Sequence, residues 1–234
     1  MEVPCEEAKG ASMVFYLPER SVFKAMHRPQ SDWERAVEFH GHTCPGLAAG
    51  YRAAQIALRE LKAERAQDEE LVAVVETDAC GVDAVQVLTG CTLGKGNLLY
   101  RDYGKHVFTF ICRDSGRAVR IAVKASAWRQ DEAYRELRKR VLSQEAGEEE
   151  KALFQHYQEE RTRYILEAPE EEICTVRKLK LEPPPKARLF DSVICSVCGE
   201  PVAEVRARVR EGRPVCIPCA EHYSRGWRGK NKET

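Results

Sequence analysis

The sequence predicts an α+β fold, with a mixed core of helices packed on a small sheet and a small cysteine-rich domain at the C-terminal end. Three observations support this prediction. Apolar residues recur at helical spacing in several segments after residue 30. Short apolar runs, which are typical of buried strands, separate these segments. Two Cys-x-x-Cys pairs lie beyond residue 190, in a segment too short to build a sufficient core of its own.

The composition fits one sizeable core with a small appended module, because the chain has 234 residues. Its 37 Lys and Arg residues balance its 37 Asp and Glu residues, so no overall field recruits nucleic acid or an anionic membrane. No apolar run approaches the roughly 18 residues of a membrane span, and the first residues lack an export signal. We therefore expect a cytoplasmic protein whose ten cysteines stay reduced.

The first regular elements are two helices whose ends are marked by local signals. Residues 1–30 show no clear period and are interpreted as an irregular lead-in. Ser31 and Glu34 have the spacing of a capping box, and Gly41 is placed to end the helix that follows. Pro45 suits the first position of a second helix, because it has no N–H group to leave unpaired.

The middle of the chain alternates strand-like runs with turns and helices. The apolar run at 71–75 is bounded by charges and predicts a buried strand. Two later runs are joined by residues 114–116 (DSG), which is a hairpin signal. Two long segments then carry charges at i,i+4 spacing, which indicates helices with solvated faces. The other predicted elements are a helix at 82–88, a glycine-rich turn at 90–96, strands at 106–112, 118–124 and 174–181, and helices at 128–145 and 148–166.

Three consecutive prolines at 183–185 form a stiff spacer, and we place the domain boundary there. The predicted organisation is a core domain at 1–182, a linker at 183–187 and a cysteine-rich domain with a basic tail at 188–234. The sequence contains no internal repeat.

The cysteines of the last domain have the spacing of a structural zinc site. Seventeen residues separate the two Cys-x-x-Cys pairs, and four thiolates satisfy Zn²⁺ tetrahedrally. Gly199 supports this prediction, because the turn after the first pair favours a residue that tolerates positive φ. The predicted ligands are Cys195, Cys198, Cys216 and Cys219. The segment resembles the zinc finger of the DksA/TraR transcription-regulator family, which serves protein or nucleic-acid contacts or braces a dimer.

The same domain is rich in arginine, which leaves two interpretations open. The guanidinium groups could contact phosphates, but a solvated basic face is favoured, so nucleic acid is not the favoured partner. The arginines concerned are Arg206, Arg208, Arg210, Arg213, Arg225 and Arg228.

A second group of metal-ligand residue types lies just ahead of the second helix. Cys44 directly precedes Pro45, so the helix dipole and the unpaired N–H groups are expected to lower its pKa. A thiolate beside imidazoles is either a metal ligand or a nucleophile with a base. A further sulfur, Cys80, lies where a strand is followed by a helix. The candidate metal ligands are His40, His42, Cys44 and Cys80. The candidate catalytic residues are His42, Cys44, Cys80 and Asp83. Asp78 or Asp83 could orient a histidine or bind the metal.

The glycine-rich turn does not have the pattern of a P-loop. Only three residues separate Gly90 from Gly94, and Gly96 follows Lys95 where a P-loop has Ser or Thr. Two interpretations remain: a nest of backbone N–H groups that binds a carboxylate or phosphate, or a tight connecting turn. The candidate cofactor-binding residues are Thr92, Gly94, Lys95 and Asn97.

Three ordered motifs carry a resemblance to a known family. They are residues 39–47 (FHGHTCPGL), 76–86 (ETDACGVDAVQ) and 90–97 (GCTLGKGN), and the likeness continues through 102–105 and 108–110. Over residues 30–165 the sequence resembles the FmdE family of formylmethanofuran dehydrogenase components, in which an appended zinc finger also occurs. The resemblance implies an α+β core, a homodimer, and a second zinc or other divalent metal near the His and Cys motifs.

The resemblance leaves the activity open. The dehydrogenase itself acts on a formamide with a molybdenum or tungsten pterin and iron–sulfur clusters, and this sequence has no ferredoxin-type run of three closely spaced cysteines. The resemblance therefore implies an accessory component or a relative of that oxidoreductase, with partner subunits of the dehydrogenase type. The alternatives are an independent metal-dependent enzyme for a small carbonyl substrate, and a zinc-finger regulator whose core senses a small-molecule ligand.

Overall fold

The computed structural model describes residues 31–220. The lead-in at 1–30 and the end of the basic tail, with Arg225 and Arg228, lie outside the described residues. The chain divides between Pro183 and Pro184 into two compact units. None of the helices within 31–220 combines the length and apolarity that crossing a membrane requires.

Helix α1 (Asp32–His40) begins and ends at the predicted signals, and α2 (Pro45–Leu61) begins at Pro45 as predicted. The backbone N–H of Glu34 donates to Ser31 Oγ at 3.2 Å, and that of Ser31 donates to Glu34 Oε2 at 2.7 Å, which confirms the capping box. Gly41 ends α1 with φ of 88°, a left-handed conformation that glycine adopts at low cost. As a result, the chain turns back within four residues and starts α2 beside the end of α1.

A five-stranded mixed sheet forms the centre of the first unit and confirms the predicted fold class. The strand order is β2-β1-β3-β4-β5, in which β1 and β2 are parallel and all other neighbours are antiparallel. Helix α3 (Gly81–Thr89) connects β1 to β2. The strands are β1 (Leu71–Val75), β2 (Leu98–Tyr100), β3 (Val107–Cys112), β4 (Arg117–Val123) and β5 (Cys174–Lys180).

Two features of the structure differ from the prediction. The sequence pattern does not reveal strand β2, because three residues are too few to show a period. The strand forms by pairing with β1, in which Ala73 lies opposite Leu98. The predicted helix at 128–145 is a 3-10 turn at Ala125–Trp128 followed by α4 (Glu132–Leu142). Arg129 breaks the helix with φ of 42°. Helices α5 (Glu148–Glu167) and α6 (Glu170–Ile173) complete the unit.

The core lies where α2 packs on the sheet and against α3. Alanines cover the buried side of α2, so neighbouring backbones approach closely. The closest approach is at Gly50, where an added Cβ would lie 2.0 Å from the carbonyl oxygen of Gly81. Phe108 and Phe110 of β3 are fully buried beneath these helices. This packing brings the N-terminal ends of α2 and α3 together.

The second unit consists of two short hairpins. Strands β6 (Ser192–Ile194) and β7 (Pro201–Ala203) form one, and β8 (Arg208–Arg210) and β9 (Arg213–Val215) form the other. Gly199 has φ of 76°, in agreement with the sequence-based expectation. Only Cys195 and Val215 are buried among the described residues of this unit.

Candidate metal centre

The four cysteines of the second unit form one cluster. Their sulfur atoms all lie within 4.8 Å of one another, and Cys198 Sγ is 3.9 Å from Cys216 Sγ. A tetrahedral site with Zn–S bonds of about 2.3 Å requires sulfur atoms about 3.8 Å apart. The residues present therefore fit zinc, and the unit has the arrangement of a four-cysteine zinc finger.

The thiols of this cluster oppose one another's ionisation. Backbone N–H groups of Cys198 and Cys216 lower the pKa of Cys195 to about 6, which favours one thiolate. The side chain of Cys216 raises the pKa of Cys219 to about 12. Further thiolates are therefore unfavourable in this cluster unless a cation offsets their charge.

A second cluster lies in the first unit, where the ends of three helices meet. His40 is the last residue of α1, and Cys44 and Cys80 are the N-caps of α2 and α3. The three ligand atoms lie within 4.8 Å of one another, and His40 Nε2 is 3.9 Å from Cys44 Sγ. An alanine at Gly46 would place its Cβ 3.2 Å from Cys80 Cβ, so glycine keeps this space open. Two thiols and an imidazole are a donor set that suits zinc.

Asp83 holds the imidazole of this cluster in place. His40 Nδ1 is 2.7 Å from Asp83 Oδ2, and the His40 side chain is only 11% exposed. With the proton on Nδ1, the ring donates to Asp83 and keeps the Nε2 lone pair available as a ligand. This contact gives Asp83 a structural role beside the His and Cys residues, while its catalytic role stays a prediction.

The structure places the other candidates outside the cluster. The ring of His42 lies 4.4 Å from that of His40, centroid to centroid, but its residue is exposed and its nitrogens do not join the ligand group. Asp78 is also exposed and does not belong to the group. The proposed ligand set therefore has three members in the described chain, and roles for His42 stay predictions.

The expectation of a lowered pKa at Cys44 was wrong. Burial raises the pKa of this thiol and outweighs the opposing hydrogen bond, in which the Leu47 N–H donates to Cys44 Sγ at 3.3 Å. The neighbouring Cys80 raises the pKa further. A position at a helix N-terminus lowers a thiol pKa only when desolvation is small.

A cavity of about 310 Å³ opens beside Cys44 and Cys80. Its other wall is formed by the 3-10 turn, by helices α4 and α5, and by His106, which directly precedes β3; the rings of His106 and Trp128 lie 4.5 Å apart. Burial lowers the pKa of His106, which favours its neutral form. This wall includes His106, Trp128, Tyr134, Arg138, Gln158 and Arg161. Sequence reasoning missed this wall, because nothing in the charged helices marks the residues that face a cavity.

The glycine-rich turn uses its polar groups within the chain. Asn97 is fully buried; its side chain accepts from the Thr92 N–H at 2.9 Å and donates to the carbonyl of Leu71 at 2.9 Å. The Lys95 ammonium donates to three carbonyls of the preceding loop, at 66–68. These contacts are those of a connecting turn, and a cofactor-binding role for Thr92, Gly94, Lys95 and Asn97 stays a prediction.

The fold and the two clusters define a class of metal-binding α+β proteins with an appended zinc finger. A family model described as FmdE, Molybdenum formylmethanofuran dehydrogenase operon, matches residues 39–175, and the chain belongs to this family. A second model, described as prokaryotic dksA/traR C4-type zinc finger, matches residues 188–225. Both matches confirm the resemblances found in the sequence.

Two similar proteins are informative. A protein of Archaeoglobus fulgidus named probable S-adenosyl-L-methionine-binding protein is 37% identical over 196 residues, which cover 81% of this chain and 52% of the relative. The chain thus spans about half the length of that relative. A crystal structure of a tungsten formylmethanofuran dehydrogenase FmdE-like protein from Syntrophus aciditrophicus is 26% identical, with a TM-score of 0.51, and the match covers 80% of this chain and 91% of that one.

Proposed function

We propose that this zinc-finger protein of the FmdE family holds a second divalent metal in its core and binds a small molecule beside it. His40, Cys44 and Cys80 would hold the metal, which leaves a coordination position for a small-molecule donor. The convergence of these three ligand atoms within 4.8 Å, at the edge of a cavity, is the observation that carries the proposal. A metal bound there supplies Lewis acidity to a carbonyl or similar group of the small molecule.

The residues of the chain prepare this site in three ways. Asp83 fixes the ring of His40, so that Nε2 stays available. The Leu47 N–H fixes the sulfur of Cys44 through a hydrogen bond. The neutral imidazole of His106 lines the cavity but does not belong to the ligand group, so it can donate or accept a proton there.

An accessory role beside a molybdenum or tungsten oxidoreductase is the biological context that we favour. The family description, which names a formylmethanofuran dehydrogenase operon, supports this context. The absence from the sequence of a ferredoxin-type cysteine run argues against electron transfer by the chain itself. Turnover of a small carbonyl substrate by the purified chain alone would instead favour an independent enzyme.

The number of zinc ions per chain, in the wild type and in a core-site variant, should distinguish the core site from the finger site. We expect two zinc ions per chain, and one after Cys44→Ser and Cys80→Ser are combined, because serine is a poor zinc ligand. Elemental analysis of the purified full chain measures this number. Cys112→Ser is the matched control, since Cys112 is buried and belongs to neither cluster. A double variant that still holds two zinc ions would contradict the core site.

S-adenosylmethionine is a second candidate ligand, favoured by the name of the Archaeoglobus relative. If the cavity of this chain binds the same molecule, calorimetry should give a Kd of about 0.1 mM or tighter. S-adenosylhomocysteine and methylthioadenosine form a matched pair for the test, because only the first carries an amino acid carboxylate. The absence of binding heat with S-adenosylmethionine and S-adenosylhomocysteine would exclude this candidate.

A further inference from the structure

Arg161 is a buried cation without an anionic partner in the described chain. The residue is 6% exposed, and no carboxylate among the described residues lies within ion-pair distance of it. Its Nε donates to the carbonyl of Trp128 at 2.6 Å and its Nη1 to Gln158 Oε1 at 3.0 Å. A buried charge is unfavourable unless an opposite charge pairs with it. The neutral partners of Arg161 offset only part of that cost.

The remaining donor of Arg161 is available to the cavity. Its Nη2 has no acceptor in the described residues. Every described side-chain nitrogen or oxygen that is shielded from solvent has a hydrogen-bond partner, so Nη2 must keep some contact with solvent. Arg161 also lines the cavity beside Cys44 and Cys80. Its small exposed surface is thus a donor at the wall of the candidate site.

The charge of this cavity has one sign. Arg138 joins Arg161 in the lining, whereas neither Asp nor Glu from residues 31–220 lines the cavity. Arg138 is exposed and forms no ion pair within the part of the chain that the structure describes. A concave surface with two guanidinium groups and no carboxylate concentrates anions. The chemistry of the cavity therefore favours a small molecule that carries a carboxylate or phosphate over one that carries neither.

The guanidinium of Arg161 is fixed before any ligand arrives. It lies over the ring of Tyr134, 4.3 Å from the centroid, and Tyr134 is itself buried. Contacts with Trp128 and Gln158 hold it from two further sides. A fixed guanidinium loses little conformational entropy on binding an oxyanion and offers directed donors that an ammonium lacks.

We propose that the cavity binds a small oxyanion-bearing molecule, whose carboxylate or phosphate pairs with Arg161 and whose other end reaches Cys44 and Cys80. The second half of this statement rests on the proposed core metal; the first half does not. Arg161 is thus a specificity-determining residue that selects anionic ligands, and Arg138 adds long-range attraction from the cavity rim.

Two matched thiol probes test the charge preference on the purified full chain. Each probe carries a thiol that binds a thiophilic metal, but 3-mercaptopropionate ends in a carboxylate and 3-mercaptopropanol in a hydroxyl. Calorimetry should show binding about tenfold tighter for the carboxylate, since a charge-assisted hydrogen bond contributes at least this factor. Competition by acetate or by inorganic phosphate then distinguishes a carboxylate ligand from a phosphate ligand.

Substitutions test whether Arg161 causes the preference for the carboxylate probe. Arg161→Gln should reduce the preference to less than about twofold, and Arg161→Lys should restore only part of it. Arg163→Gln is the matched control, because Arg163 lies on the same helix and is exposed outside the cavity lining. If Arg161→Gln does not fold, Arg138→Gln and the comparison of the two probes on the wild-type chain still test whether the cavity prefers the carboxylate. Equal affinity for both probes of a wild-type chain that holds two zinc ions would overturn the proposal.

The two proposals fail in different ways. If the core metal is absent, elemental analysis gives one zinc per chain and both thiol probes bind weakly, while acetate or phosphate still binds to wild type more tightly than to Arg161→Gln. If the anion site is wrong, the zinc content stays at two and the carboxylate probe loses its advantage. A preference that survives in Arg161→Gln would also contradict the assignment.

Discussion

Replacing Gly50 with alanine is expected to lower the free energy of unfolding by roughly 3 kcal/mol or more. The new Cβ would lie 2.0 Å from the carbonyl oxygen of Gly81 and 2.4 Å from its Cα. Both are backbone atoms, so no side-chain rotation can relieve the overlap and α2 must move away from α3. Because Cys44 and Cys80 cap these two helices, the same movement should separate the thiols and lower the metal content.

The measurement is urea denaturation of the full chain, followed by circular dichroism, together with elemental analysis. Gly94→Ala is the stability control, because an added Cβ there would meet no described atom within 4 Å apart from its chain neighbours. It should change the unfolding free energy by less than about 0.5 kcal/mol. If Gly50→Ala unfolds at the same urea concentration as this control, then α2 and α3 are not in backbone contact.

The first two helices could be predicted closely because their signals are local. A capping box, Gly41 and Pro45 each satisfy or remove backbone groups at a helix end, whatever the remaining chain does. The apolar run of β1 is equally clear, since all five of its residues are buried. Such elements can be predicted because a few adjacent residues determine them.

Strand β2 could not be predicted in the same way. It is three residues long, and only Leu98 is buried. Its parallel pairing with β1 depends on the path of α3, which returns the chain to the free edge of that strand. The break before α4 is equally hidden, because the left-handed backbone at Arg129 has no glycine or asparagine to indicate it.

Part of the candidate site could be predicted, because some of its residues are marked by local sequence signals. His40 and Cys44 are neighbours in sequence, and Cys80 lies at a strand-to-helix junction, so their residue types and positions suggest one site. The contact between Asp83 and His40 depends on the packing of α1 on α3, which spacing alone does not fix. The charge pattern of helix α5 indicates a solvated face and gives no sign that Arg161 differs from Arg163. Only the tertiary fold turns one of these arginines toward a cavity.

Loss of zinc from the finger is expected to unfold the second unit and leave the first unit folded. With only Cys195 and Val215 buried, and with strands of three residues, this unit has almost no apolar core in its described residues. Binding of structural zinc contributes about 10–16 kcal/mol in comparable fingers. We therefore expect Cys216→Ser in the full chain to abolish hydrogen-exchange protection at residues 192–215, as measured by peptide mass spectrometry.

Peptides from β1 and β3 provide the internal control, because their strands are buried in the first unit and should keep the protection of wild type. Cys112→Ser tests whether the loss of any thiol has the same effect, and we expect it to leave the exchange of the finger unchanged. The two hairpins contain few backbone hydrogen bonds and expose Ile194, Val197 and Val209 to solvent. Protection that persists in Cys216→Ser would mean that a contact other than the metal holds these hairpins together.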